Sequence, residues 1–367
     1  MLSNFTIAYN SFYFTVATIV LFLILLFYSD YNYRRQTNIF LIISTSVLYI
    51  LIFGSRDWNI GSDTYRYIYT MNKFSSLSAL KLYQIRDFGI YSISVFLNTI
   101  TSNKQAILYT MAILYVIPLA FAFISLKTDH TFLLFFCFVS FFFFKSMGAN
   151  ILKQGVAISF FLLAIVLITN NYKPHLPIIF MSVAFLFHAS ILIPITFFLA
   201  SKYIKKVQIP LIVYLLAIIL SYLNTDLIKF LNSVPLLSEL VNDRLQSYML
   251  STNIAIYRTG FRPDFVIFNS IFVLVGLYFY NQQRIKIFYP NYKRFLFSYI
   301  LTSSVFFLMF HIPYSDRFGV LSWVFIPFLL SPFLSKYGEY KYGPLKLFVF
   351  SLLSFILLNI VYFKNQI

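Results

Sequence analysis

The sequence contains few charged residues, and acidic residues are the scarcest of them. Only 11% of its 367 residues are charged, whereas a soluble globular protein carries about 25%. Apolar side chains take their place and make up 60% of the chain. This composition excludes an ordinary soluble domain and predicts an integral membrane protein.

Cysteine is nearly absent as well. The one cysteine, Cys137, lies in the apolar segment FLLFFCFVSFFFF, which excludes an internal disulfide and a cysteine metal cluster. The motifs HExxH, CxxC and GxGxxG, the Walker loop and the EF-hand loop do not occur either. We therefore predict no metal site and no cofactor.

Basic residues outnumber acidic ones by 28 to 11, which gives a formal net charge of +17. In a soluble protein this excess would favour nucleic acid binding. In a membrane protein, however, cytoplasmic loops carry Lys and Arg that fix the orientation of the chain. We therefore expect no nucleic acid partner.

What the sequence does contain is a succession of apolar runs, most of them long enough to cross a bilayer. They lie at 8–28, 38–54, 88–102, 104–126, 131–147, 151–170, 175–200, 209–224, 264–281, 295–312, 318–334 and 345–363. The runs predict an all-α, polytopic transmembrane helical bundle of about 10–12 helices. No linker or internal repeat is evident, so we expect residues 1–367 to form a single integral membrane domain.

Four basic loops predict the orientation of the bundle. Their basic residues are Arg34 and Arg35; Lys202, Lys205 and Lys206; Arg284, Lys286, Lys293 and Arg294; and Lys336, Lys341 and Lys346. Placing all four loops in the cytoplasm is consistent with twelve crossings and leaves the N-terminus outside. The polar segments near 55–87, 225–262 and 313–317 then face the outside.

Two runs fit this scheme poorly. The run at 88–102 is short and polar for a span, and the run at 175–200 contains His188 followed by Pro194. We expect a re-entrant or broken element in this part of the chain, because broken helices occur at membrane depth where they line a cavity or the protein interior.

The first external segment, FGSRDWNIGSDTYRYIYTMNKF, concentrates ionic groups in an otherwise apolar chain. Its pattern predicts a helix that Ser62 can cap, with Asp63 in the first turn, where a carboxylate is favourable. Arg66 lies one turn later on the same face as Asp63. The two side chains could bind a substrate, or they could form an ordinary interfacial ion pair.

Further ionisable clusters lie at the edges of apolar runs, where such groups are costly and are functional candidates by default. They are Arg258, Arg262 and Asp264; His311, Asp316 and Arg317; Lys145, Lys153 and Gln154; and the isolated His188. Arginine presents a planar group that binds phosphate bidentately, so the outer face could hold a diphosphate or an anionic lipid headgroup. His188 could instead be a hydrogen-bonded core histidine.

Five segments carry a family resemblance: SRDWNIGSDTYRYIYTMNKF, NILKQGVAISFFLLAI, FLFHASILIPITFFL, GFRPDFVIFN and DRFGVLSWVFIPFLL. Their order resembles the EpsG-like and Wzy-type bacterial polysaccharide polymerases. The family pattern has Arg, Gly, Asp and Tyr in the first external loop, a basic residue with Gln opening a middle helix, a His-x-Ser, and an Arg heading a late helix. Lys153 departs from the pattern, because the family more often has Arg there.

The resemblance implies a fold related to the C-type membrane glycosyltransferases and a polymerase of the O-antigen or capsule type. The enzyme would work on the periplasmic face of the bacterial inner membrane, with undecaprenyl-diphosphate-linked oligosaccharides as donor and acceptor. Its other partners would be membrane lipids and a polysaccharide chain-length regulator.

The resemblance also suggests roles for the ionisable residues. Asp63 is the first candidate for the general base, with His188 and Asp264 after it. The candidates for holding diphosphate or sugar are Arg56, Arg66, Lys153, Gln154, Arg258, Arg262, Asp316 and Arg317.

Three other functions remain open at the level of sequence. An O-antigen ligase or another glycosyltransferase with a lipid-linked donor would use the same kind of donor, and a ligase is expected to have a larger external loop than 225–262. A flippase for lipid-linked sugars would be expected to show internal repeats and a basic central path. An ion or solute transporter would be expected to show paired broken spans in corresponding halves.

Overall fold

A computed structural model describes residues 4–26, 35–71, 88–101, 103–126, 130–224, 259–334 and 342–362. Within these residues the regular structure is helical throughout, and no strand occurs. The contacts divide the chain into two compact units: unit 1 comprises Met1–Leu192 with Ser331–Ile367, and unit 2 comprises Ile193–Leu330.

Unit 1 combines helices from the first part of the chain with a helix from its last part. Those of the first part are α1 Asn4–Leu26, α2 Arg35–Ser55, α3 Ser62–Met71, α4 Phe88–Ile100, α5 Lys104–Ile124, α6 Thr131–Ser140, α7 Phe142–Ala149, α8 Leu152–Thr169 and α9 His175–Phe187. Short 3-10 turns follow at Ala189–Ile191 and Ser331–Leu334.

Unit 2 consists of the middle of the chain. Its helices are α10 Leu192–Ala200, which begins at the boundary, α11 Gln208–Tyr222, α12 Pro263–Asn281, α13 Gln283–Phe288, α14 Tyr292–Leu308, α15 Asp316–Trp323 and α16 Ile326–Leu330. The chain then returns to unit 1 with α17 Gly343–Ser354, which continues as a π-helical segment at Phe355–Tyr362.

Seven helical segments in the described residues are long and apolar enough to cross a membrane, and an eighth is added if a bent helix pair counts as one span. This confirms the predicted all-α polytopic bundle. Each of the twelve predicted apolar runs is occupied by a helix or a pair of helices. Four of the apolar helices have only 10–17 residues, so length alone does not make them spans.

In unit 1, four helices pack successively against one another: α2 on α5, α5 on α8, and α8 on α9. Helix α8 is the most enclosed of them, because nearly all of its residues from Leu152 to Leu167 are buried. Its sequence is apolar on every side, as expected for a helix surrounded by other helices. The start of α8 is therefore held in a fixed place within the unit.

The predicted run at 131–147 is a broken span. Helices α6 and α7 meet at Phe141 with a bend of 74° between their axes. Phe141 has extended backbone angles, φ −82° and ψ 144°. Since a break frees backbone groups from the helix ladder, they need other partners in lipid. Asn359 donates to the Ser140 carbonyl at 3.1 Å, and the Tyr9 hydroxyl donates to the Val139 carbonyl at 3.5 Å.

The expected interruption of the run at 175–200 also occurs. Helix α9 ends at Phe187, His188 is extended, and the chain resumes with the 3-10 turn. The run at 88–102 forms the 13-residue helix α4. The bend at Phe141, by contrast, lies in a run that we predicted to be continuous.

Unit 2 is organised around a buried polar residue in α12. Asn269 has none of its surface exposed, and its Oδ1 lies within hydrogen-bond distance of Tyr299, Ser303 and Ser322. Its Nδ2 donates to the Phe265 carbonyl at 2.8 Å. This polar cluster joins α12, α14 and α15 inside an apolar unit.

Candidate functional site

The loop between α2 and α3 is held to unit 1 by Arg56. The Arg56 guanidinium donates to the Phe53 carbonyl, and its Nη2 lies 3.3 Å from both the Thr64 hydroxyl and the Ala149 carbonyl. Gln105 of α5 donates to the Arg56 carbonyl at 2.9 Å. One arginine therefore connects the end of α2, the start of α3 and the end of α7.

Arg56 is buried, with 4% of its surface exposed. Burial lowers the pKa of its guanidinium to about 10, which leaves it charged at neutral pH. Nε is buried without a hydrogen-bond partner among the described residues. Because its terminal nitrogens bind oxygens of the chain itself, Arg56 fixes the loop, and the predicted contact with a diphosphate stays a prediction.

Helix α3 starts against the break between α7 and α8. The Thr64 hydroxyl donates to the Ala149 carbonyl at 2.7 Å, and the Asp63 backbone amide donates to Asn150 Oδ1 at 3.0 Å. Gly61 precedes the helix with φ of +92°, a conformation that favours glycine. The helix thus begins at Ser62, with Gly61 at the position where we expected Ser62 to cap.

One face of α3 carries Asp63, the first predicted candidate for the general base. Asp63 and Tyr67 are four residues apart and therefore share a face, and both are half-buried. The Lys153 ammonium lies 4.9 Å from the centre of the Tyr67 ring. The structure thus brings Asp63 and Lys153, 90 positions apart in the sequence, to the same side of one short helix.

Gln154 does not share this surface with Lys153. It is 3% exposed and lies inside the bundle. The side chain of Arg66 lies outside the described residues, so its predicted pairing with Asp63 stays a prediction. His188 is half-buried at the break after α9.

In unit 2, Arg262 and Asp264 form a bidentate ion pair at the start of α12. Arg262 Nε donates to Oδ1 at 3.0 Å and Nη2 donates to Oδ2 at 2.6 Å. The guanidinium also lies over the Phe265 ring, 4.4 Å from its centre. Both carboxylate oxygens of Asp264 thus accept hydrogen bonds from Arg262. Asp264 is therefore less suited to act as a general base.

The last predicted cluster heads α15. Asp316 and Arg317 are half-buried, and the Arg317 guanidinium lies 4.7 Å from the centre of the Tyr314 ring. The Gly260 amide donates to the Phe310 carbonyl at 2.9 Å, which places the segment before α12 beside the segment before α15. His311 Nε2 lies 2.9 Å from the Ser221 carbonyl. The starts of α12 and α15 therefore share one cluster of charges within unit 2, while Arg258 lies outside the described residues.

Two residues of the unit 1 site were missed from the sequence. Thr64 and Asn150 carry no charge, whereas the candidates predicted from the sequence are ionisable residues together with Gln154. Each does stand beside a helix end, in GSDTY and MGANILKQ, where Ser, Thr and Asn commonly satisfy free backbone groups. That signal could have identified them as the contacts that join the loop to the break.

Comparison with known proteins identifies the family. The model of the EpsG family matches residues 38–367, nearly the whole chain. No curated protein and no solved structure matches the chain. The family match confirms the resemblance drawn from the five segments, and the charged clusters of both units fall within the matched range. The chain is therefore a multi-pass membrane protein that belongs to the EpsG family and is related to polysaccharide synthesis.

Proposed function

We propose that this protein is a polysaccharide polymerase. It joins oligosaccharide repeat units carried on undecaprenyl diphosphate, at the periplasmic face of the bacterial inner membrane. The growing chain on its lipid carrier is the donor, and a single lipid-linked repeat unit is the acceptor. Membrane lipids surround the enzyme, a chain-length regulator is a candidate partner, and no nucleic acid takes part.

The observation that carries the proposal is the meeting of two family segments in unit 1. The first external loop and the start of α8 are more than 80 residues apart in sequence, yet Thr64 and Asp63 bind the Ala149 carbonyl and the Asn150 side chain. A carboxylate and an ammonium group consequently share one face of α3 at the edge of an apolar bundle. Asp63 and Lys153 are the two charges that a transfer from a diphosphate donor requires.

The reaction exchanges one bond for another at the anomeric carbon of the donor. The acceptor hydroxyl oxygen forms a new bond to this carbon, the bond from the carbon to the diphosphate oxygen breaks, and lipid diphosphate leaves. The hydroxyl proton passes to a base, and the departing oxygens gain negative charge. Rate enhancement therefore depends on a base near the hydroxyl and a cation near the leaving group.

Within unit 1, Asp63 supplies the base and Lys153 supplies positive charge. Asp63 is held at the first turn of α3 by the hydrogen bond that its backbone amide donates to Asn150 Oδ1. Lys153 offers a compact charge without the planar geometry of arginine, so it stabilises a phosphate as a point charge. Arg56 and Gln154 are buried and keep the loop and α8 in place, which makes them positioning residues in this mechanism.

Within unit 2, Arg317 and Arg262 are the candidates for binding phosphate or sugar groups. The Arg262 guanidinium is held by Asp264. An anionic group of the substrate must therefore displace the Asp264 carboxylate in order to bind Arg262. Arg317 stacks on Tyr314 and heads α15 beside Asp316. His188 of unit 1 remains the second candidate for the base.

The first experiment is a gel of the surface polysaccharide of a host strain in which the gene is deleted. We expect a lipid core that carries a single repeat unit and no ladder of longer chains. Wild-type protein restores the ladder, and Arg317→Ala does not, although it inserts into the membrane in equal amount. Loss of every repeat unit on deletion would indicate export or ligation and contradict the proposal.

The same assay tests Asp63 against a matched carboxylate. Asp57 lies in the same loop but is exposed. If Asp63 is the base, Asp63→Asn slows ladder formation by about 100-fold or more, the usual contribution of a general base. Asp57→Asn serves as the control and retains the ladder. Equal ladders for both variants would remove Asp63 from the mechanism and direct the search to His188.

A further inference from the structure

The external loop of unit 1 carries a pair of exposed aromatic rings that the proposed chemistry does not use. Trp58 and Tyr65 stack with ring centres 5.5 Å apart and an angle of 23° between their planes. Trp58 is 37% exposed and Tyr65 is 51% exposed. The Lys104 ammonium lies over the Trp58 ring, 4.7 Å from its centre. We call these three residues the aromatic platform.

The aromatic platform is built on a part of the loop that is held by several hydrogen bonds. Arg56 anchors the chain two residues before Trp58, and the Ile60 amide donates to the Asp57 carbonyl to form a turn. Tyr65 extends from the first turns of α3, whose start is bound to the break at Asn150. The rings are therefore presented on a rigid support, which keeps the entropic cost of binding low.

The platform lies on the other side of α3 from Asp63. Successive residues of an α-helix are about 100° apart around its axis, so Tyr65 points about 200° from Asp63, and Tyr67 about 40° from it. Burial agrees with this geometry, because Thr64 and Ile68 between the two sides are buried. A ligand on the platform is thus separated from the Asp63 and Lys153 face by the width of one helix.

The exposed Tyr65 ring, backed by Trp58 and lying beside an exposed cation, is suited to sugars. The C–H groups on one face of a pyranose ring pack against an aromatic face, while its hydroxyl groups stay in water. Aromatic rings bury a large area at little cost in side-chain freedom. Lys104 is exposed and can donate to sugar hydroxyls or to an acidic sugar.

We infer that Trp58, Tyr65 and Lys104 form a saccharide-binding subsite, which holds a sugar of the glycan away from the bond that is being made. The inference rests on the proposed function only for which glycan is bound. Such a subsite would retain a growing chain between additions and would therefore influence the length of the product.

The test uses the two tryptophans of the chain, of which Trp58 is exposed and Trp323 is fully buried. The purified full-length protein in nanodiscs of uncharged lipid is titrated with a two-repeat oligosaccharide cut from the host polysaccharide, free of lipid and diphosphate. We expect a saturable change in tryptophan fluorescence. Trp58→Phe, which leaves Trp323 as the only fluorophore of this type, abolishes the change.

Variants at Tyr65 keep Trp58, whose fluorescence measures binding. Tyr65→Ala raises the Kd for the oligosaccharide about five- to tenfold, the effect of losing one aromatic stacking partner. Tyr65→Phe keeps the wild-type Kd, and Tyr172→Ala, which removes an exposed tyrosine elsewhere in unit 1, also keeps it. An unchanged Kd in Tyr65→Ala, or no saturable signal in the wild type, overturns the inference.

The titration fails or succeeds independently of the polymerase assay. Glycan binding at the platform together with a deletion strain that lacks every repeat unit supports the subsite and contradicts the polymerase. A deletion strain that accumulates single repeat units, together with no glycan binding at the platform, supports the polymerase and contradicts the subsite. Fluorescence that responds to added phosphatidylglycerol but not to oligosaccharide assigns the platform to the lipid headgroup region and overturns the inference.

Discussion

At the scale of single residues, Arg56 and Arg262 show two ways of keeping a guanidinium in an apolar environment. Arg56 is surrounded by carbonyl and hydroxyl oxygens of the chain, whereas Arg262 binds the two oxygens of Asp264 and stacks on Phe265. The oxygens around Arg56 carry no formal charge, and its pKa, which burial lowers to about 10, leaves it a cation at neutral pH beneath the loop. This buried charge favours an anionic ligand near the loop without touching it.

Gly61 is the residue whose substitution best tests the arrangement of the loop. Its φ is +92°, and a Cβ at this position would collide with the Ala149 carbonyl. We expect Gly61→Ala to lower stability by about 1–2 kcal/mol for the backbone conformation, and by a further 1–3 kcal/mol or so for the collision. Thermal unfolding of the purified protein measures the loss, and the polysaccharide ladder should disappear with it.

Gly260 provides the matched control for this substitution. Its φ is +104°, but a Cβ there would meet no atom within 4 Å. Gly260→Ala should therefore cost only the conformational part. Equal losses of stability for the two variants would show that a Cβ at position 61 meets no obstacle at Ala149. That result would contradict the close approach of the loop to the end of α7.

The sequence drew attention to the charged residues of the loop but did not predict what each one touches. Arg56, Asp63 and Lys153 stood out because charges are rare in this chain. Their proximity depends on Thr64 and Asn150, neutral residues whose contacts cross more than 80 positions of sequence. The pattern of residues within a short segment does not reveal contacts between residues so far apart in the sequence.

At the scale of secondary structure elements, the bend at Phe141 brings the end of α7 to the loop between α2 and α3. Because α7 leaves the direction of α6 by 74°, the chain can turn back at Asn150 and start α8 beside α3. The apolar runs predicted the helices well, since length and hydropathy determine them. They did not predict this bend, because FFCFVSFFFFKS contains neither Pro nor Gly.

The polar cluster around Asn269 gives a prediction for the elements of unit 2. Asn269→Leu removes the acceptor shared by Tyr299, Ser303 and Ser322 and leaves their hydroxyls in an apolar interior. We expect a loss of about 2 kcal/mol in stability, at the upper end for hydrogen bonds between membrane helices. Thermal unfolding in detergent measures it.

Asn281, at the exposed end of the same helix, is the control. Asn281→Leu should unfold at the wild-type temperature. If Asn269→Leu were as stable as this control, the cluster would be dispensable and α12 would be held by apolar packing alone.

At the scale of the whole molecule, unit 1 is discontinuous in sequence. Its last part, Ser331–Ile367, follows the 138 residues of unit 2, which run from position 193 to 330. Helix α17 packs on α6, and the π-helical segment after it places Asn359 against the Ser140 carbonyl at the break. A residue near the end of the chain thus supports a bend made in its first half.

This contact predicts a specific effect of Asn359. Asn359→Leu leaves the Ser140 carbonyl without its donor, so we expect stability to fall by about 1 kcal/mol and the bend to become less well defined. Hydrogen exchange of the amides in α6 and α7 measures the change. Leu357→Ala, at an exposed position of the same segment, should leave this exchange unaltered, and faster exchange in that variant as well would attribute the effect to the segment as a whole.

The position of Asn359 also bears on how the protein is made. It lies 219 residues after Ser140, and at a synthesis rate of roughly 5–20 residues per second this separation takes about 11–44 s. During this interval α6 and α7 have already been synthesised, but the Ser140 carbonyl does not yet have Asn359 as its hydrogen-bond donor. The Ser140 carbonyl therefore gains this donor only after residue 359 has been synthesised, although the loop attached to the break is among the first segments made.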